Sequence, residues 1–214
     1  MVPHAGNLAL LGGELCLNFA NTVEYRASDR THEFLKDYSD LVLWSWHVDI
    51  LTDEQAEHLL QEVRQRQEEA DDVFEQAIAL RETIYKVFTA IIGGYPPDSA
   101  SLETLNALLA KALARLRIVS TGRDFIWDWA SNDKTLDQVL WPIVRSAAEL
   151  LTSDELSRVK QCAGCGWLFV DRSRNRSRRW CDMRVCGNRA KARRYYERQR
   201  KQSSRSSNPS PGAA

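Results

Sequence analysis

Apolar residues recur at three- and four-residue steps through much of this chain, the spacing of one face of a helix. The longest such run holds Leu59, Val63, Ala70, Val73, Ala77, Leu80, Ile84, Val87 and Ile91, with charged residues on the opposite face. Thr52-Asp-Glu-Gln55 ahead of it is a capping-box pattern, and Gly93-Gly94-Tyr-Pro96-Pro97 ends it. Residues 66–70 are almost wholly polar and predict a break within the run. A second helix is expected from about Ser101 to Leu116, with Leu102, Leu105, Leu108, Leu109, Ala112 and Leu116 as its apolar face. A third carries Leu136, Leu140, Ile143, Ala147 and Leu150, and Pro142 inside it predicts a kink or a late start. Thr152-Ser-Asp-Glu155 reads as a second capping box, opening a short helix toward Cys162.

Other segments follow a different rhythm. From Leu8 to Val23 a glycine pair precedes Leu15, Leu17 and Phe19 at alternate positions. That pattern fits either a short strand or the first turn of a buried helix. Asn18 and Asn21 are polar within it and, if buried, must be hydrogen-bonded. Between Thr31 and Ile50 a short helix is expected first, after which Leu41-Val-Leu-Trp-Ser-Trp46 enters the core. Arg117 to Trp129 reads as extended, with Phe125, Trp127 and Trp129 alternating against Ile126 and Asp128 as in a half-buried strand or hairpin. A turn at Ser131-Asn-Asp follows. Past Gln202 the residues are too small and polar to form a core and predict a disordered tail.

Four cysteines change the picture. Cys162-Ala-Gly-Cys165 and Cys181-Asp-Met-Arg-Val-Cys186 are two close pairs joined by a short loop. Such pairs can offer four thiolates to one tetrahedral ion. With no histidine nearby, one structural zinc ion is the favoured ligand; an iron–sulfur cluster or a redox Cys-x-x-Cys is the alternative. Cys16 lies in an apolar run and reads as a small core residue. Trp167-Leu-Phe-Val170 predicts a strand and Arg178-Arg-Trp180 its return, with a helix from about Gly187-Asn188. That arrangement resembles a treble-clef finger. The expected fold is therefore mainly α: a helical domain with a few short strands (1–152), a small zinc finger of hairpin and helix (153–202), and a disordered tail (203–214). The 214 residues suffice for one domain plus such a module.

Charge sharpens the division. The net charge is zero, yet the chain from Arg158 onward holds sixteen Lys and Arg against three Asp and Glu. A block of that sign usually meets a polyanion. Arg172, Arg174, Arg176, Arg178 and Arg179 are expected on the finger's turn and return strand, and Asn188, Arg189, Lys191, Arg193 and Arg194 on its helix. These are the candidate nucleic-acid contacts. Arginine dominates, which suits bidentate contacts to phosphate or guanine. Asn188 fits a helix cap as well as a base reader. DNA is the expected partner, with RNA or a docked protein as alternatives.

The run from Cys162 to Lys191, with Cys186-Gly-Asn-Arg189 inside it, resembles the CGNR zinc-finger family. Gly12-Gly-Glu-Leu-Cys-Leu-Asn-Phe-Ala-Asn-Thr-Val23 is similar to the opening of the ABATE domain, with Asn18 where aspartate is expected and Ala20 where valine is expected. The resemblance implies a bacterial transcription regulator, with a helical domain that senses a signal or pairs two copies and a finger that binds DNA. A small-molecule pocket would draw on Asn18, Asn21, Trp44 and Trp127, although tryptophans of this kind more often fill a core. Catalysis is not expected. His4, His32, His47 and His58 are scattered, Cys16 has no evident base, and no phosphate loop or dinucleotide fingerprint is present. No apolar run reaches the ~20 residues that span a bilayer, and the start lacks a secretory pattern, so a cytoplasmic, nucleoid-associated protein is expected. Cys162→Ser should unfold the finger, abolish nucleic-acid binding and leave the helical domain folded.

Overall fold

The computed structural model describes residues 2–26, 30–129 and 135–206, with backbone alone for 201–206. The Ser131-Asn-Asp turn and residues 207–214 of the expected tail lie outside the described residues. Mainly helical architecture is confirmed: α1 (Leu15–Ala20), α2 (Tyr38–His47), α3 (Asp53–Glu62), α4 (Gln67–Ile92), α5 (Ser99–Leu113), α6 (Trp141–Leu151) and α7 (Asn188–Ser206). Among the described residues no helix is long and apolar enough to cross a membrane.

The ambiguous opening run is a helix, and its position explains why. α1 has only six residues, too few to be stable alone. It lies between α4 and α6 with Cys16, Leu17, Phe19 and Ala20 buried. Its start is satisfied from outside, since the Cys16 N–H donates to Ser146 Oγ at 3.1 Å. Burial pushes the Cys16 thiol up to about 12, so it stays protonated within the core.

Capping chemistry sets most other boundaries. Asp37 caps α2 by accepting from the Asp40 N–H at 2.9 Å, so the Leu-Val-Leu-Trp-Ser-Trp run is itself helix. The short helix expected before it is instead β2 (His32–Glu33), paired antiparallel with β1 (Val23–Glu24). Thr52 and Gln55 form the predicted capping box. The predicted break falls between α3 and α4, where Arg66 bonds Glu62 at 3.2 Å and Glu69 at 2.9 Å. Asp98 caps α5, two residues ahead of the expected start. Pro142 marks the late start: a 3-10 turn at Leu136–Leu140 leads into α6 with the proline in its first turn.

Two expectations fail here. Thr152 and Ser153 do not box a following helix; their hydroxyls donate back to carbonyls of α6, and a 3-10 turn at Asp154–Arg158 follows. β3 (Leu116–Ser120) and β4 (Phe125–Trp129) do form a hairpin, but its side chains are mostly exposed rather than half-buried. α7 continues to Ser206, past the boundary expected for the tail.

Candidate metal centre and nucleic-acid interface

The finger begins with a hairpin whose turn is the first cysteine pair. β5 (Val159–Gln161) pairs antiparallel with β6 (Leu168–Val170). The expected return strand at Arg178–Trp180 does not form; that segment is held by single bonds, with the Arg178 N–H donating to Asp171 at 2.9 Å. Gly164 lets the turn fold over the second pair, because a Cβ there would lie 3.1 Å from the Cys186 Cβ. Gly166 closes the turn at φ +81°, a conformation that favours glycine.

All four sulfurs converge, each within 4.8 Å of the others, and all four cysteines are buried. Cys165 and Cys181 Sγ are 3.6 Å apart, and Cys181 and Cys186 Sγ 3.9 Å. A tetrahedron with metal–sulfur bonds of about 2.3 Å has edges near 3.8 Å, so the sulfurs fit a zinc ion. Without a cation they oppose one another: burial and the charge of Cys162 push Cys186 up. A divalent ion removes that conflict, which is how metal binding becomes folding energy. The Gly164 N–H points at Cys162 Sγ from 3.4 Å, a donor suited to a bound thiolate.

The finger is fused to the helical domain. Residues 167–170 alternate between two cores: Leu168 and Val170 of β6 join the main one, while Phe169 and the preceding Trp167 join a small one with the four cysteines, Leu8 and Phe34. Trp167 Nε1 donates to the Val23 carbonyl at 2.9 Å, and the Tyr25 N–H to the Cys165 carbonyl at 3.1 Å. Arg172 clamps the junction from outside, donating to Glu14 and to Glu155 at 2.7 Å.

Beyond the sulfurs the chain turns into helix earlier than expected. Asp182 caps it, accepting from the N–H groups of Arg184 at 2.5 Å and Val185 at 3.2 Å. A π-helical turn at Met183–Gly187 runs directly into α7. Asn188 is therefore inside the helix rather than at its cap, and its Nδ2 donates to the Arg184 carbonyl at 2.9 Å. From Lys191 to Arg200 every residue of α7 is exposed.

Residues 13–154 match the ABATE family, described as "Putative stress-induced transcription regulator". The chain belongs to the ABATE family. Residues 158–199 match the CGNR zinc finger. A search of the curated proteins finds no match. Sulfur geometry and the CGNR finger agree on the metal: Cys162, Cys165, Cys181 and Cys186 hold one zinc ion. Four protein ligands leave no open position, so the ion is structural.

The other predicted residues divide. Arg174, Arg176, Arg179, Lys191, Arg193 and Arg194 are exposed on the CGNR finger. Arg172 is occupied by the ABATE domain's Glu14 and by Glu155. Arg178 stacks 4.9 Å over the Phe169 ring and donates to the Cys181 carbonyl. Arg189 donates to the Tyr25 hydroxyl. An open cleft of about 710 Å³ lies there, between the ABATE domain and the finger, lined by Tyr25, Arg30, Gly164, Arg189 and Arg193 among others. Sequence reasoning missed Tyr25 and Arg30, since nothing in their local pattern shows that β1 runs beside the cysteine turn.

The expected small-molecule pocket is not assembled. Asn18 accepts from the Gly12 N–H at 2.8 Å, and Asn21 bonds the main chain of Leu168. Trp44 is buried against Phe19, with ring centroids 5.1 Å apart. Trp127 is exposed on the β3–β4 hairpin. Three of the four serve packing or backbone pairing, and the fourth faces solvent.

Proposed function

We propose that this ABATE protein regulates transcription by laying α7 and the zinc turn against DNA, while its helical domain senses a ligand or pairs two copies. The observation that carries this reading is α7 itself. Its described side chains from Lys191 to Arg200 meet solvent, and five of these ten are Lys or Arg against one Glu. A helix polar on every side needs a partner or charge pairing to hold it. Arg193 bonds Glu197 at 3.0 Å, and no other acidic residue stands in α7. Rooting the helix on a closed zinc site fixes its direction, and the rim of the cleft adds Arg30 beside Arg189 and Arg193. Such a surface suits phosphates in a groove.

A second reading, RNA in place of duplex DNA, draws support from Tyr195 and Tyr196, which are exposed with ring centroids 5.7 Å apart. Exposed rings beside arginine stack on unpaired bases. Selection from random duplex DNA, run beside a matched RNA pool on zinc-loaded protein, tests both. An enriched duplex motif is expected. Enrichment confined to RNA would replace the first reading with the second, and retention of neither would sink both.

A further inference from the structure

We infer that the β3–β4 hairpin is a pairing arm whose occupant is a second copy of this chain. The inference rests on the pairing role proposed for the helical domain and names its surface. Register places Leu116, Ile118 and Ser120 on one face with Trp129, Trp127 and Phe125 opposite them. At the base of the hairpin Trp129 lies 5.8 Å from Trp141, centroid to centroid, so this face starts at the core. It then runs out into solvent: Ile118 is 62% exposed, Trp127 57% and Phe125 73%. Ile126 on the other face is 50% exposed. A lone two-stranded hairpin is marginal in water, and a row of large exposed apolar side chains on one marks an interaction surface.

Charge selects the occupant. The hairpin carries Arg117, Arg123, Asp124 and Asp128, a balanced set with no net charge. Nothing in it draws a polyanion, so it is separate from the basic finger. Arg117 and Asp128 are cross-strand partners, with the guanidinium 4.0 Å from the carboxylate. Both lie with Val119 and Ile126 on the face opposite the Ile118, Trp127 and Phe125 row, so that row is not interrupted by a charged side chain of either strand and can meet the same row of a copy turned about a two-fold axis.

The area agrees. Aromatic side chains offer about 150–250 Å² each, and the exposed parts of Phe125, Trp127 and Ile118 on this face together leave roughly 400 Å² of apolar surface per copy. Two copies would bury about 800 Å² of it. A standard interface of ~1,600 Å² is a little over half apolar, or roughly 900 Å². The hairpin alone therefore supplies most of the apolar surface that a stable dimer needs.

The test is the mass of the full-length, zinc-loaded protein by sedimentation equilibrium without nucleic acid, from low to tens of micromolar. Wild type is expected at the mass of two chains, and the double variant Phe125→Asp, Trp127→Asp at the mass of one, with unchanged zinc content and circular dichroism. A monomeric wild type, or a variant that stays dimeric, overturns the inference. Hydrogen exchange on the unsubstituted protein gives an independent readout, with amides of β3 and β4 expected to slow as concentration rises through the transition. Slowing elsewhere with these amides unchanged also overturns it. Neither measurement involves DNA, so loss of the arm and loss of the DNA reading are told apart.

Discussion

The side chain of Asn21 stands in for a strand beside Leu168: its Nδ2 donates to the Leu168 carbonyl at 2.8 Å, and its Oδ1 accepts from the Leu168 N–H at 2.8 Å. All of these groups are buried, so they have no access to water. Asn21→Ala would orphan one donor and one acceptor of the main chain. Each such group costs roughly 1–3 kcal/mol. The expected loss is about 3 kcal/mol of unfolding free energy, read from denaturant midpoints. Asn21→Asp keeps the acceptor but sets a buried carboxylate against the Leu168 carbonyl, and should cost at least as much at neutral pH. If Asn21→Ala unfolded at the wild-type midpoint, the pairing would not hold the finger in place.

Removal of zinc should reach beyond the finger. Leu168 and Val170 of β6 belong to the main core, while Phe169 on the same strand and Trp167 just before it belong to the cysteine cluster. A strand with two buried faces cannot lose one partner and keep its place against the other. Cys162→Ser, or chelation of the ion, is therefore expected to lower the midpoint of the main thermal transition, not only to abolish a finger signal. The helical core of α4, α5 and α6 should keep most of its circular dichroism. A main transition that does not move would favour two independent modules, the outcome the cysteine spacing alone predicts.

Acid should weaken the finger through Asp171, which is fully buried. Burial pushes its carboxyl up, but Lys160 at 2.8 Å, Ser173 and the Arg178 N–H together outweigh that and hold it well below the usual carboxylate range. A depressed folded pKa adds stability above the unfolded value of about 3.9, which is lost as pH falls below it. Asp171→Asn should thus be less stable than wild type at neutral pH and lose less on acidification below about 4. Zinc release must be followed in parallel, because the thiolates also protonate in acid. Parallel stability curves for the two proteins down to low pH would rule this role out.

What could be read from the sequence depended on whether the signal was local. The capping box at Thr52, the polar break before α4, the late start at Pro142 and the four metal ligands are each written within a few residues, and all were legible. Asn21 was recognised as a polar residue needing a partner, but its partner is Leu168, far along the chain. Arg81 gave no signal at all. It is an arginine on a helical apolar stripe, yet it is buried with both Nη atoms 2.7 Å from Glu33 and its Nε 3.0 Å from Glu82. The alternation in Phe125-Ile-Trp-Asp-Trp129 was legible as a strand, but alternation cannot tell a core face from an exposed one. Arg172 and Arg178 looked like their neighbours because composition does not show which arginine meets a carboxylate or a ring.

The Arg81 network allows a direct check. Arg81 joins α4 to β2 through Glu33 and reaches Thr22 Oγ1 at 3.3 Å. Glu33 is partly exposed and keeps some water, which limits the penalty of losing its partner. Arg81→Met should cost about 2 kcal/mol, below the 3–5 kcal/mol typical of breaking a fully buried pair. Chemical denaturation of the zinc-loaded protein measures it, and a neutral or stabilising effect would mean the network is dispensable.

Basic residues of the finger should separate into those that contact phosphate and those that hold the fold. Each phosphate contact releases counterions, so losing one lowers the slope of log K against log salt by about 0.9. Arg174→Ala, Arg193→Ala and Arg194→Ala are expected to lower that slope, to weaken binding evenly across sequences, and to leave the unfolding midpoint unchanged. Arg172→Ala should do the reverse. It removes the links to Glu14 and Glu155, lowers stability and leaves the slope unaltered. Fluorescence titrations at several salt concentrations, set beside denaturation curves for the same four variants, decide the point. A slope change in Arg172→Ala as large as in Arg193→Ala would put that arginine on the nucleic acid and take it out of the junction.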